Sequence, residues 1–226
     1  MIRALRRRWW RERVAPDSPL HALLSVALPH ARTRLSDVDL LALDFETTGL
    51  RPAHDTVVSA GWLRLHGGVL RLAGAGETWL RPEGDAGVGD SATIHGLRDV
   101  DLGEGGDERA LLDLLLPALT GRVLLAHGSG IESGFLDAIL RRRHGVPFLS
   151  PRVCTLALEA RLCEVRGERP GPGGLTLAAC RARRGLPAYR EHDALSDALA
   201  CAELFLAQVA EFGGFDDVRL GDVTSG

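Results

Sequence analysis

The stretch D-L-L-A-L-D-F-E-T-T, residues 39–48, decides how the rest of this 226-residue chain is read. An apolar run closing on Thr47, Thr48 and Gly49 has the pattern of a buried strand, in which successive side chains alternate between faces. Asp44 and Glu46 then share one face and Phe45 takes the other. Two carboxylates at the end of a buried strand cost desolvation and like-charge repulsion, which a bound cation offsets and ordinary core packing does not. The strand therefore predicts a metal site whose remaining ligands come from elsewhere in the chain.

Outward from this strand, residues 56–65, 68–72 and 77–80 read as further strands joined by H-G-G and A-G-A-G turns, an antiparallel meander. Asp107 is placed to cap a helix through Leu111, Leu112, Leu115 and Leu116, and residues 123–126 fit a buried strand after a crossover. The following helix, from Ser129 or Glu132 to Arg143, carries Phe135, Leu136, Ile139 and Leu140 on one side and closes on R-R-R-H-G, cations that suit the negative helix end. Residues 154–165 and 175–184 read as helices separated by a Gly/Pro loop, and Asp193 caps a last long helix through Phe205 and Val209. The fold class is α/β, a mixed sheet flanked by helices.

On this reading residues 36–212 form one domain, residues 1–35 a basic helical extension, and residues 213–226 a short flexible tail. The extension has six Arg and one Glu in its first 13 residues, with Trp9 and Trp10 between them. It fits either an arm touching nucleic acid or an acidic membrane, or a solvated helix face whose tryptophans pack on the domain. All 27 basic residues are Arg, and the formal net charge of -3 argues against a protein that coats nucleic acid uniformly. The four cysteines form no C-x-x-C pair and read as buried free thiols of a reducing cytosol. With no apolar run long enough to span a bilayer and no signal-peptide core, a cytoplasmic protein without a membrane partner is expected.

Two more stretches bear on the acidic strand. Residues 124–132, L-L-A-H-G-S-G-I-E, bring Glu132 to the start of a helix, and H-D-A-L-S-D brings His192 and Asp197 to the start of the last one. On one continuous helix, five residues at about 100° each would set His192 and Asp197 about 140° apart. His192 therefore belongs on the preceding loop, with Asp197 in the first turns.

D-F-E-T-T-G, L-L-A-H-G-S-G-I-E and H-D-A-L-S-D, in this order, resemble the three motifs of the DEDD exonucleases with the histidine variant of the third motif. That family includes the proofreading epsilon subunit of bacterial DNA polymerase III, RNase T and oligoribonuclease. The resemblance implies an RNase H-like fold and two divalent ions, Mg²⁺ or Mn²⁺, held by Asp44, Glu46 and Asp197, with Glu132 acting largely through water. It implies that His192 takes the proton of the attacking water and that 5′-mononucleotides leave the 3′ end of single-stranded DNA or RNA. It also implies that Thr47, Thr48 and Gly49 hold the terminal nucleotide while Leu50 wedges against its base.

The chain departs from the family pattern at Glu132, where Asp is usual, at Gly128, where Asn is usual, and at Cys154, where Asp often precedes the Thr. A Glu carries the same ligand on a longer stem, so these changes touch substrate contacts more than the metal site. Two rival readings follow: a weakened relative that binds nucleic acid or a partner, and a phosphodiesterase for very short oligonucleotides. The short tail gives no indication of polymerase association. The arginines at 141–143 and 181–184 fit either phosphate contacts or helix-end electrostatics, and His95, alone in an I-H-G-L turn, reads as structural.

Overall fold

The computed structural model describes residues 2–81 and 105–225. The opening strand is β1 (Asp39–Thr47). It pairs antiparallel with β2 (Val57–His66), which pairs antiparallel with β3 (Val69–Trp79). On its other side β1 runs parallel to β4 (Val123–Ala126), β4 to β5 (Arg152–Cys154), and a two-residue β6 (Thr224–Ser225) closes the order β3-β2-β1-β4-β5-β6. This antiparallel half joined to a parallel half is the RNase H-like mixed sheet.

Alternation along β1 divides the core between two layers. Leu41, Leu43 and Phe45 join one cluster, beneath α2 (Pro19–Ser25), α3 (Glu108–Leu119) and α4 (Gly130–His144). Leu40 and Ala42 join the other, against α5 (Thr155–Val165) and the long α7 (Ala194–Glu211), with α6 (Leu177–Arg183) beside them. Asp44 and Glu46 continue the α7 side of that alternation, and Phe45 the other. The helix starts follow their caps: Asp107 accepts from the Ala110 amide, Thr176 from Ala179 and Asp193 from Ser196. Gly145, at φ 69°, ends α4 in the left-handed conformation that glycine adopts without penalty.

Three expectations are corrected. The two strands expected at 68–72 and 77–80 are one strand, β3, because the A-G-A-G segment is an irregularity in the pairing and not a turn. The Trp62 indole crosses Gly76 so closely that a Cβ there would sit 2.4 Å from Trp62 Cζ2, so glycine makes room for the ring. The strand β5 was hidden in sequence because its three residues run directly into α5.

The chain ends are the third correction. In the amino-terminal segment, α1 (Ile2–Arg11) packs through Trp10, while Leu20, Leu23 and Leu24 of α2 and the nearby Leu35 are buried core residues. Arg7 is buried and donates to the carbonyls of Leu23, Leu149 and Val26, an arginine closing a helix end. At the other end, Val218 and the α8 residues (Leu220–Val223) Leu220 and Val223 are buried, and β6 hydrogen-bonds to β5. The expected flexible tail is thus a packed edge. Three buried aliphatic side chains at about 1.5–3 kcal/mol each predict that a chain stopped after Gly214 loses at least about 4 kcal/mol, read as a thermal midpoint lower by about 10 °C. No helix among the described residues is long and apolar enough to cross a membrane. The four cysteines are buried and free, and His95 lies outside the described residues.

Candidate active site

A cleft of about 580 Å³ opens at the carboxyl end of β1. Asp44 and Glu46 reach it from β1 and Asp197 from the first turns of α7, and one ligand oxygen of each lies within 4.8 Å of the others. Register explains the meeting: Asp44 pairs with Gly61 on β2, and Gly61 is where the start of α7 rests. A Cβ at Gly61 would stand 2.2 Å from the Leu195 nitrogen, so only glycine lets the helix come this close.

His192 lies on the loop before α7, on the cleft wall, in a left-handed backbone conformation at φ 64° that costs a non-glycine residue energy. Its amide donates to Asp197 Oδ2 at 2.9 Å, which holds that conformation. Glu132, in the first turn of α4, is 3% exposed, and its Oε2 has no hydrogen-bond partner among the described residues. It stands outside the tight group of three yet close enough to raise the Asp44 pKa. Thr47, Thr48, Gly49 and Leu50 form the neighbouring lip. The Thr47 hydroxyl donates to the Gly49 carbonyl at 2.7 Å, Thr48 Oγ1 accepts from the Thr56 amide at 3.0 Å, and Leu50 is 72% exposed.

The four acids resist ionisation together. Burial, then Glu132, Asp197 and Glu46, push Asp44 well above the usual carboxylate range. Burial, then Asp197 and Asp193, raise Glu46 to about 7. Burial lifts Glu132 to about 8 and also raises Asp197, against the backbone hydrogen bonds from His192 and Asp193. Hard oxygen ligands this close, with a buried oxygen left over, fit a divalent cation such as Mg²⁺ or Mn²⁺.

The sign of the linkage gives a prediction. For a carboxyl whose folded pKa is raised, the unfolded chain ionises first, so stability is full below about 4.5 and falls as pH rises toward the folded value. In EDTA the melting temperature should therefore fall by at least about 5 °C between about pH 6.5 and 8.5, and Mg²⁺ or Mn²⁺ should restore it. Glu132→Gln should flatten the fall. A metal-independent melting temperature would show that the acids do not bind a cation together.

Several residues take places that sequence alone did not settle. His127 lines the cleft with its ring fixed at both ends: Nε2 donates to the Leu175 carbonyl at 2.9 Å and Nδ1 faces the Thr155 hydroxyl at 2.9 Å. A carbonyl only accepts, so the proton is on Nε2, and burial lowers the pKa to keep the ring neutral. Leu186, Pro187, Ala188 and Tyr189, between α6 and α7, form an apolar wall that no motif signalled.

The basic clusters are committed internally. Arg181 is buried on the Ala200 and Pro187 carbonyls and Glu203, and Arg183 and Arg184 ion-pair with buried Glu159. Arg141 pairs with Asp137, and Arg142 and Arg143 with Glu108. Asp137 also accepts the Phe148 amide at 2.9 Å, so it braces a loop away from the acids.

A mixed sheet with acids from its central strand meeting one from α7 defines a domain of RNase H-like fold with a carboxylate-lined cleft. The chain belongs to the exonuclease family of RNase T type, which it matches over residues 41–205. A PolC-type DNA polymerase III of Thermotoga maritima is 28% identical over 170 residues, 75% of this chain and 12% of the polymerase. A second PolC-type polymerase, of Thermotoga petrophila, is 27% identical over 183 residues, 81% of this chain and 13% of the polymerase. The chain thus spans about an eighth of these relatives. Among solved structures, E. coli exonuclease I in complex with a dT13 oligonucleotide superposes with a TM-score of 0.64 at 18% identity, over 78% of this chain and 43% of that one.

Proposed function

We propose that this domain is a metal-dependent 3′→5′ exonuclease that hydrolyses the terminal phosphodiester of single-stranded nucleic acid and releases 5′-mononucleotides. The observation that carries the reading is the convergence of Asp44, Glu46 and Asp197 within 4.8 Å, with buried Glu132 beside them and His192 at the lip. Asp44, Glu46 and Asp197 would hold the ions, with Glu132 behind them. Bound there, two Mg²⁺ or Mn²⁺ ions would supply Lewis-acid stabilisation of the attacking and leaving oxygens.

The chain's own residues do the rest. His192 accepts the proton of the water as its oxygen bonds to phosphorus and the bond from phosphorus to the 3′ oxygen of the penultimate nucleotide breaks. Asp197 orients His192 through its amide. Leu50, which projects into solvent at the cleft mouth, packs against the terminal base, and Thr47, Thr48 and Gly49 grip its sugar and phosphate. Exonuclease I neighbours described with single-stranded oligonucleotides support this substrate class, and the polymerase relatives name a partner worth testing. A cytosolic location fits the four unpaired cysteines.

The test is mononucleotide release from 3′-labelled and 5′-labelled single strands of DNA and RNA in Mg²⁺, Mn²⁺ and EDTA. Metal-dependent shortening from the 3′ end supports the reading, and no turnover on either polymer refutes it. Glu132 favours one rival, a weakened binding module, because its stem is longer than the usual Asp. Glu132→Asp should leave the rate within about tenfold and Glu132→Gln should lower it about a hundredfold; a large gain with Asp would mark the natural site as impaired.

A further inference from the structure

At the opposite end of the sheet the chain gathers positive charge. From Asp39 to Asp44 β1 covers about 17 Å at about 3.3 Å per residue, so this end is remote from the acidic cleft. Arg64 of β2 and Arg71 of β3 are direct partners in the antiparallel pairing, so both side chains leave the same face of the sheet. Asp39 and His66 are partners in the next pair, with His66 Nδ1 3.1 Å from the Asp39 carboxylate. Arg122 stands just before β4. These residues and Ala73 line a cavity of about 380 Å³.

Like charges directly opposite on a sheet destabilise it, and nothing among the described residues neutralises this pair. Neither Arg64 nor Arg71 has an ion-pair partner there, and the one carboxylate in the cavity, Asp39, faces His66. The Nε groups of Arg64 and Arg122 are buried without a hydrogen-bond acceptor among the described residues. Both heads are held in place. The Arg64 guanidinium lies against Gly74, where a Cβ would come 3.2 Å from Arg64 Cζ, and Arg122 Nη1 donates to the Ala118 and Thr120 carbonyls at 2.8 and 3.2 Å. Burial and then the Arg64 charge lower the Arg122 pKa, with Asp39 opposing.

We propose that this cavity binds a phosphate group, as inorganic phosphate or a small phosphate monoester, at a site separate from the acidic cleft. Three guanidiniums against one carboxylate leave an excess of about two positive charges, which matches a phosphate dianion. A guanidinium fork presents the donors that phosphate oxygens accept. A nucleic-acid backbone fits less well: each diester carries one charge, and Arg64 and Arg122 are recessed, with only Arg71 exposed.

The test is calorimetric titration and thermal melting of the full chain in EDTA. The probes are inorganic phosphate, a nucleoside 5′-monophosphate, and an oligonucleotide without terminal phosphate. Phosphate and the monophosphate should bind the wild type and raise its melting temperature. Arg64→Gln and Arg71→Gln should weaken that binding at least about tenfold. Without phosphate both variants should be at least as stable as wild type, since each removes one member of the repelling pair. Asp44→Asn should bind phosphate unchanged, which separates this site from the cleft. Tighter binding of the monophosphate than of inorganic phosphate would assign the ligand to the monoesters, and the reverse to the free ion. No binding by wild type up to about 10 mM, unchanged affinity in both arginine variants, or oligonucleotide binding as tight as phosphate would each overturn the proposal.

Discussion

Asp44→Asn should lower nuclease turnover by at least about a thousandfold while raising the stability of the metal-free protein. The substitution keeps the shape of the side chain and removes one charge from a group whose carboxylates lie within 4.8 Å. Removing a ligand from a metal centre that stabilises charge in the transition state forfeits several kcal/mol of barrier lowering, and each factor of ten is about 1.4 kcal/mol. In EDTA, however, burial, Glu132, Asp197 and Glu46 hold Asp44 against ionisation, a cost to folding that the amide does not carry. The thermal midpoint of the variant should rise by several degrees in EDTA and respond less to Mg²⁺ or Mn²⁺ than the wild type. A variant that keeps its turnover would refute the assignment of Asp44. One that loses turnover together with stability would mark the residue as structural.

Gly61→Ala should be the most damaging of the small substitutions. The added methyl would fall 2.2 Å from the Leu195 nitrogen and 2.3 Å from the Ala194 carbonyl carbon, backbone atoms of α7 that no rotamer change can move aside. Either the helix start lifts from β2 or the strand shifts, and overpacking of this kind costs about 3 kcal/mol. The same displacement carries Asp197 and His192 away from Asp44 and Glu46, so the folded fraction should also lose activity, by about a hundredfold if the shift approaches 1 Å. Gly130→Ala is the control, because a Cβ there meets nothing within 4 Å. Melting temperature and turnover measured on both separate the two effects. Equal behaviour of the two variants would mean that the contact at Gly61 does not position the site.

Part of this site was open to reading because it rests on local rules. Alternation along β1 puts Asp44 and Glu46 on one face whatever surrounds them, and the capping side chain of Asp193 sets where α7 starts. His192 is thereby left on the loop and Asp197 in the first turns, as observed. Local rules misled where one residue type serves two purposes. The glycines of A-G-A-G suggested a turn, but Gly76 yields space to Trp62 from the neighbouring strand, a demand that no window of nearby residues contains. The segment after Gly213 looked loose because its apolar residues are few, yet Val218, Leu220 and Val223 find partners in a core formed by distant parts of the chain.

The sequence by itself determined the strand that opens the domain, the chemistry of its acids and the order of the three motifs, because strand periodicity and helix capping act over a few residues. Only the tertiary structure decided which arginines are committed to buried carboxylates and which face one another across β2 and β3. Only it set the approach of α7 to Gly61 that closes the acidic group. Those outcomes depend on pairing register and on packing between residues far apart in the chain, where contact distance, and not neighbourhood in sequence, fixes the energy.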